Sequence, residues 1–455
     1  MHYYLRFPQT NQATLMEILP PNPQNSLYTF ISSLMGLRED MRIKLKTFNY
    51  EENTTNISNV IQSIEAYLYK LNGFIEYYNK KMPEDFGPVP EFEWRSAIIQ
   101  LSSGNRIIEH LTKKGVSKLS HFKSNHLNSK NSEKNSNFSG AGSLEGRRSE
   151  FVGGFQSKAS FRSLEYEFAF TLTALGIGRS IMAYSRIRSM DNEIMNEKDN
   201  GKDTSSSRDS EGLKSILGQA GVMTKEEQEQ EQRQINISGK DFATAAGIFQ
   251  YVRDNLLSNL ANIAPSVLDL TSDIQYMLES LALADATRLS VNRGVRTGTI
   301  KPMVLARLLL HVYEQYKQAF HILNSLPRNE SKYVVDDIRR YIKDGQQVVY
   351  AQALIYLSKA YSDENKYGLA VGFIKESQSL LRQTVDKDRS VHQHTAKMLL
   401  KNVVDDQLAQ YEQNNNFIGL EKVPSSSELQ SFVPAGRAFV QPVSYEPAKA
   451  QLVLP

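Results

Sequence analysis

Residues 300–320 read IKPMVLARLLLHVYEQYKQAF. Leu305, Leu308, Val312, Tyr316, Phe320 and, just beyond, Leu323 recur every three or four residues, the spacing that lines one face of a helix. The same periodicity continues on both sides. Leu270, Ile274, Met277, Leu278 and Leu281 predict the preceding helix, and Phe242, Ala245, Phe249, Val252, Leu256 and Leu260 the one before it. Leu164, Phe168, Leu172, Leu175 and Ile177 predict a nearly all-apolar helix; Ile57, Ile61, Ile64, Leu68, Leu71 and Ile75 mark an early one. Ala396, Leu399, Val403, Leu408 and Tyr411 mark a late one. Alternating strand patterns are scarce. Tyr3–Phe7 before Pro8 reads as a short strand, and Leu27–Ile31 suits a second strand or a helix start equally. The fold class expected is mostly α with a small N-terminal β element.

Residues 350–380, YAQALIYLSKAYSDENKYGLAVGFIKESQSL, resemble a tetratricopeptide helix pair. Leu354, Leu357-Ser358 and Tyr361 take the first-helix positions; Ala370 and Ile374 take those of the second. Ser358 stands where the pattern has Gly, and Ile374 where it has an aromatic. One such unit is no array, so the expectation is an irregular helical solenoid, with any antiparallel helix pair as the plainer reading.

Two polar stretches interrupt the helices. Residues 113–160 are rich in Ser, Asn, Gly and Lys, and 190–238 in Asp, Glu, Gln and Ser. Segments so poor in apolar residues bury too little surface to offset ordering entropy, so both are expected to be disordered insertions, the second with a brief helix near Leu213–Leu217. From residue 416 onward, Pro424, Pro434, Pro442, Pro447 and Pro455 forbid long helices and predict a flexible tail.

The chain has 455 residues and a net charge of +3, too small to argue by itself for nucleic acid. The basic insertion interleaves few aromatics with its Lys and Arg, so no nucleic-acid partner is expected. The absence of cysteine excludes disulfides, thiolate zinc sites, a Cys nucleophile and Cys-linked lipids. No apolar run approaches a membrane span, and MHYYLRFPQT carries no signal-peptide pattern, so a cytoplasmic location is the expectation. No HExxH, GxSxG or GxxxxGK[ST] occurs. Gly176 and Gly178 in LGIGRS fit tight helix packing better than a phosphate loop, and Asp336-Asp337 and Asp405-Asp406 fit solvated helix faces. His392 and His394, two apart, diverge on a helix. No catalytic, cofactor-binding or metal-ligating set emerges, and a non-enzymatic scaffold is expected.

Five segments in order, PEFEWRSAI (90–98), SLEYEFAFTLTALG (163–176), DFATAAGIFQYVRDNLL (241–257), DLTSDIQYMLESLALADAT (269–287) and IKPMVLARLLLHVYEQYKQAF (300–320), together resemble the Bro domain. The resemblance spans residues 1–415 apart from the two insertions. It implies a boomerang-shaped helical solenoid ending in tetratricopeptide-like pairs. It also implies an adaptor whose hydrophobic patch takes the C-terminal amphipathic helix of an ESCRT-III filament subunit, a helix-in-groove mode. Carried over residue by residue, the patch falls on Val304 and Leu308, with Val291 at the end of the preceding helix and Leu175 from an earlier one. Val304 and Leu308 are equally compatible with core positions on a strongly apolar helix; solvent exposure distinguishes the two readings. The short remainder and the lack of a C-terminal cysteine resemble the fungal pH-response branch of the family, of PalC type. That branch implies other alkaline-pH signalling components as partners, and recruitment to endosomal or plasma-membrane ESCRT sites through partners. A general endosomal-sorting scaffold is the alternative.

Overall fold

The computed structural model describes residues 5–49, 54–81, 86–98, 151–152, 155–156, 158–199, 225–260, 267–326, 334, 336–386 and 392–450. A 3₁₀ turn at Leu15–Ile18 precedes a helical array made of α1 (Asn25–Thr47), α2 (Thr54–Lys80), α3 (Leu164–Asp199), α4 (Lys225–Tyr251), α5 (Ser272–Thr297), α6 (Pro302–Ser325), α7 (Asp336–Asp363) and α8 (Tyr367–Val385). Each helix packs on the next one in sequence, so the array is built from neighbours. Two short helices follow, α9 (Gln393–Leu399) and α10 (Asp405–Asn414), and a last turn α11 spans Ser426–Leu429. Leu27–Ile31 lies in a helix, not a strand.

The β element is a three-stranded antiparallel sheet of β1 (Gln9–Thr10), β2 (Phe92–Arg95) and β5 (Lys158–Phe161), in the order β1-β2-β5. A separate small hairpin pairs β3 (Phe151–Val152) with β4 (Phe155–Gln156). Of the expected strand at Tyr3–Phe7, residues 3–4 lie outside the described residues and Leu5–Phe7 is not paired as a strand; pairing begins at Gln9. Leu5 and Phe7 are nevertheless buried in the main core.

One carboxylate ties sheet to helices. Glu167 of α3, fully buried, accepts hydrogen bonds from Arg38 Nε of α1 (2.8 Å), Tyr67 Oη of α2 (3.0 Å) and Trp94 Nε1 of β2 (2.6 Å). The remaining Arg38 nitrogens donate to the Asn11 carbonyl and the Thr10 hydroxyl, so the guanidinium is satisfied on every side. Burial works against the Arg38 charge, yet Glu167 outweighs it and the pKa is raised. Trp94 then stacks on Phe170 at 5.3 Å.

Gly176 and Gly178 do mark tight packing. A Cβ on Gly176 would stand 2.6 Å from the Phe249 ring of α4, and one on Gly178 would press on Ile61 and Phe7.

The polar insertions are shorter than their composition predicts. Residues 190–199 continue α3, and 225–238 form the first half of α4. Glu and Gln are good helix formers, and the start of α4 is held by Glu231, paired with Arg296 of α5, and by the buried Ile235. Residues 151–152, 155–156 and 158–160 are paired in strands. The segments 113–150 and 200–224, including the helix expected near Leu213–Leu217, lie outside the described residues.

The expectation of a flexible tail is corrected outright. Residues 420–450 form a strap that runs back across the array. Leu429 is buried among Ala306, Leu354, Leu357 and Phe373. Farther along, Arg437 N–H donates to the Arg307 carbonyl of α6 (2.9 Å), Val443 N–H to Ala243 of α4 (3.0 Å), and Ala450 N–H to Tyr69 of α2 (2.9 Å). At two crossings the helix offers a glycine four residues on: Gly247 meets the Val443 carbonyl and Gly73 the Ala450 carbonyl, where a Cβ would overlap the strap backbone. At α6 the glycine is on the strap instead, Gly436 lying against the His311 backbone. Proline suits this extended path because its fixed φ resists helix.

Candidate docking site

The loop between α5 and α6 opens one side of a cleft. Gly298, at φ +63°, caps α5 with its N–H on the Val295 carbonyl, as a left-handed residue without Cβ can. Pro302 then opens α6 at its first turn. Across from this corner stand α7 and the helices after α8. The cleft between them encloses about 630 Å³. Val291, Leu305, Leu309 and Leu399 form an apolar floor, each no more than 4% exposed. Lys301, Lys359, Asp363 and Asp406 rise along the rim, all exposed. Two further lining atoms, Asn402 Nδ2 and Gln407 Oε1, are buried without a hydrogen-bond partner among the described residues. An apolar floor with unsatisfied polar groups above it is the composition of a recognition site. Tyr356 also lines this space, and burial pushes its pKa up to about 12.

Beneath the floor lies a buried polar cluster. Asp285 accepts from Tyr341 Oη (2.7 Å), Tyr316 Oη (3.2 Å) and Tyr184 Oη. Arg288, which reaches the cleft, donates to Tyr316 Oη at 3.2 Å. Burial raises the Asp285 pKa, against the opposing pull of Arg288 and the three tyrosines. For Arg288 burial works toward neutrality, but Tyr316, Tyr341 and Asp285 prevail and the pKa is raised. The cluster locks α5, α6 and α7 at one depth and so fixes the cleft walls.

His392 sits against the same cluster, with Nε2–H donating to the Tyr341 carbonyl at 3.2 Å. Burial first and Arg288 second lower its pKa to about 3. The sign follows: the unfolded chain, with His near 6.5, binds a proton that the folded protein does not, so stability falls as pH drops below 6.5 toward 3. At pH 5 the loss relative to neutral pH is about 2 kcal/mol. Urea titrations of wild type and His392→Gln at pH 7 and pH 5 check this: the wild type is expected to lose that much more than the variant.

The structure distributes the four residues carried over from the resemblance. Val304 is half-buried on the flank of α6. Successive residues turn by about 100°. Val304 therefore stands between the cleft side, marked by Leu305, and the strap side, marked by Arg307. Val291 is on the cleft floor, 3% exposed. Leu308 (2%) and Leu175 (1%) lie inside the main core. By the exposure criterion, only Val304 presents itself to a partner directly, and Val291 does so through the cleft. The rim residues and the strap crossing at Arg307 carry no periodicity and were not read from sequence.

Residues 215–452 match the model of the BRO1-like domain family, more than half of the chain and through the whole strap. This chain belongs to the BRO1-like domain family. Solved structures agree on the fold of the domain. The ALIX BRO1–CHMP4C complex is similar with a TM-score of 0.61 at 14% identity, covering 97% of this chain and 95% of that one. A structure described as the basis for endosomal targeting by the Bro1 domain gives a TM-score of 0.57 at 13% identity, covering 98% and 93%. ALIX in complex with the SIVmac239 PYKEVTEDL late domain gives 0.62 at 14% identity; this chain spans 98% of its own length and 49% of that protein. Among the described residues of the BRO1-like domain no helix is long and apolar enough to cross a membrane, and no three potential metal ligands cluster.

Proposed function

We propose that this BRO1-like domain is a non-enzymatic adaptor that receives the C-terminal amphipathic helix of an ESCRT-III filament subunit. Val304 and the adjoining cleft with Val291 on its floor form the docking surface; Leu308, buried on the same helix, supports it from the core, and Leu175 is a core residue of α3. The observation that carries this is the apolar cleft at the α5–α6 corner, with its charged rim and the buried, unpartnered Asn402 Nδ2 and Gln407 Oε1. The shared fold with the ALIX BRO1–CHMP4C complex supports it. An amphipathic helix supplies apolar side chains to the floor and polar ones to Lys301, Lys359, Asp363 and Asp406.

Val304→Asp is expected to weaken capture of an ESCRT-III C-terminal helix peptide at least about tenfold, with an unchanged circular dichroism spectrum. Leu308→Asp buries a charge and is expected to lose the folded signal itself. Retained binding by a folded Val304→Asp protein would move the docking surface elsewhere.

At finer grain, the adaptor serves ambient-pH signalling, with other pH-pathway components as partners and with recruitment to endosomal or plasma-membrane ESCRT sites. Its role there is to help assemble the proteolytic activation complex of the pH-response transcription factor. The PalC-type resemblance supports this. The alternative is general endosomal sorting with no pH role. Loss of alkaline growth on gene deletion, restored by wild type and not by Val304→Asp, distinguishes the first from the second.

A further inference from the structure

The turn after α10 carries the most exposed large apolar side chains among the described residues: Phe417 (80%), Leu420 (79%) and Ile418 (67%), within four consecutive positions. Exposed apolar residues scattered singly need no explanation, but three together do.

The turn is held rigidly. Leu420 N–H donates to the Asn415 carbonyl at 2.6 Å. The Asn415 side chain clamps Glu421 from both sides, donating to its carbonyl (2.9 Å) and accepting from its N–H (3.1 Å). Gly419 lies against the Tyr367 ring, where a Cβ would be 2.8 Å from a ring carbon. Leu420 adopts φ +51°, a conformation that costs a branched, bulky residue energy. The other non-glycine residue at positive φ among those described is Asn365 (+59°), in the turn that leads into Tyr367 at the start of α8. A strained leucine held outward by four hydrogen-bonding and packing contacts points to use of the tip.

The surroundings select the occupant. Beside the apolar triad stand the amides of Gln413, Asn414, Asn416 and Asn365 and the phenol of Tyr367, and the nearby lysines are taken up in ion pairs of their own, Lys366 with Glu364 (2.7 Å) and Lys422 with Glu428 (3.3 Å). The nearest carboxylate, Glu421, is turned back to accept the Gly368 N–H at 2.7 Å. The tip is convex and narrow. Three side chains offer a few hundred Å² at most, short of the roughly 800 Å² per partner that a stable protein interface buries. A lipid interface demands no matching shape, accepts amides and tyrosine at headgroup depth, and rewards each inserted apolar side chain separately. We infer that the Phe417–Leu420 tip inserts into the interface of a lipid bilayer, and that uncharged lipid suffices. This surface is separate from the Val304 cleft, and peptide capture does not depend on it.

The test is flotation of the full chain with phosphatidylcholine vesicles. Wild type is expected to float, and 0.5 M NaCl should not release it, because no ion pair is involved. The combined variant Phe417→Ser, Ile418→Ser, Leu420→Asn should lose flotation at least about tenfold. Asn tolerates positive φ, so folding is preserved and checked by circular dichroism. In the single variant Phe417→Trp, tryptophan emission should shift to the blue on adding vesicles. Absence of wild-type flotation, equal flotation by the triple variant, or an unshifted emission would each overturn the inference. So would loss of a protein partner in the triple variant when no vesicle binds.

Discussion

Replacing Arg38 with methionine is expected to lower the unfolding free energy by about 3–5 kcal/mol, read as a lower urea midpoint at unchanged slope. The cause lies in what remains behind. Glu167 is fully buried and keeps only the neutral donors Tyr67 and Trp94 once the guanidinium is gone. An uncompensated carboxylate in the interior pays nearly the full desolvation cost. The Thr10 hydroxyl and Asn11 carbonyl lose their partner as well, which loosens β1 from α1. Glu167→Gln on top of Arg38→Met should return part of the loss, because the stranded charge is then removed. If the double variant is as unstable as the sum of the single ones, Arg38 acts through packing alone and not through Glu167.

Leu429→Ala is expected to cost about 2–5 kcal/mol, the range for a fully buried leucine. A flexible tail would predict no effect. Leu429 is 3% exposed, beneath it lie Ala306 of α6 and Phe373 of α8, and its methyl groups fill the space that Gly372 leaves open. Limited proteolysis gives an independent readout: with the anchor gone, cleavage between residues 430 and 442 should accelerate while cleavage within α5–α7 stays slow. A variant as stable and as protease-resistant as wild type would show that the backbone bonds at Arg307, Ala243 and Tyr69 hold the strap without its anchor.

The helices were legible because each buries one continuous stripe, and a 3.6-residue period survives in the order of Ile57–Ile75 or Leu305–Leu323. The tetratricopeptide-like pair was legible for the same reason, and Ser358 at its glycine position is fully buried with its hydroxyl turned onto the Ile355 carbonyl. What stayed hidden obeys other rules. The strap is recognised through backbone N–H groups meeting helix carbonyls, and main-chain bonding leaves no mark on side-chain order. The first half of α4 was misjudged because KEEQEQEQRQ is polar all round, which composition alone cannot separate from disorder. Of the candidate site, Val304 could be placed on its helix. The depth of Leu308 could not: α6 is covered by α5, α7 and the strap, so its apolar stripe is wider than one face. The rim of the cleft comes from three separate elements, the α5–α6 loop, α7 and α10, and only folding assembles it.

An array whose packing runs mainly between neighbouring helices tends to melt piecemeal: ends fray first, and each unit's stability adds nearly independently. The strap changes that arithmetic. Anchored at Leu429 beside α8 and bonded in turn to α6, α4 and α2, it cannot stay attached unless helices far apart in the array hold their spacing together. Opening any one of them releases contacts made to the others. The domain therefore gains the cooperativity of a globular protein while keeping the extended surface of a solenoid.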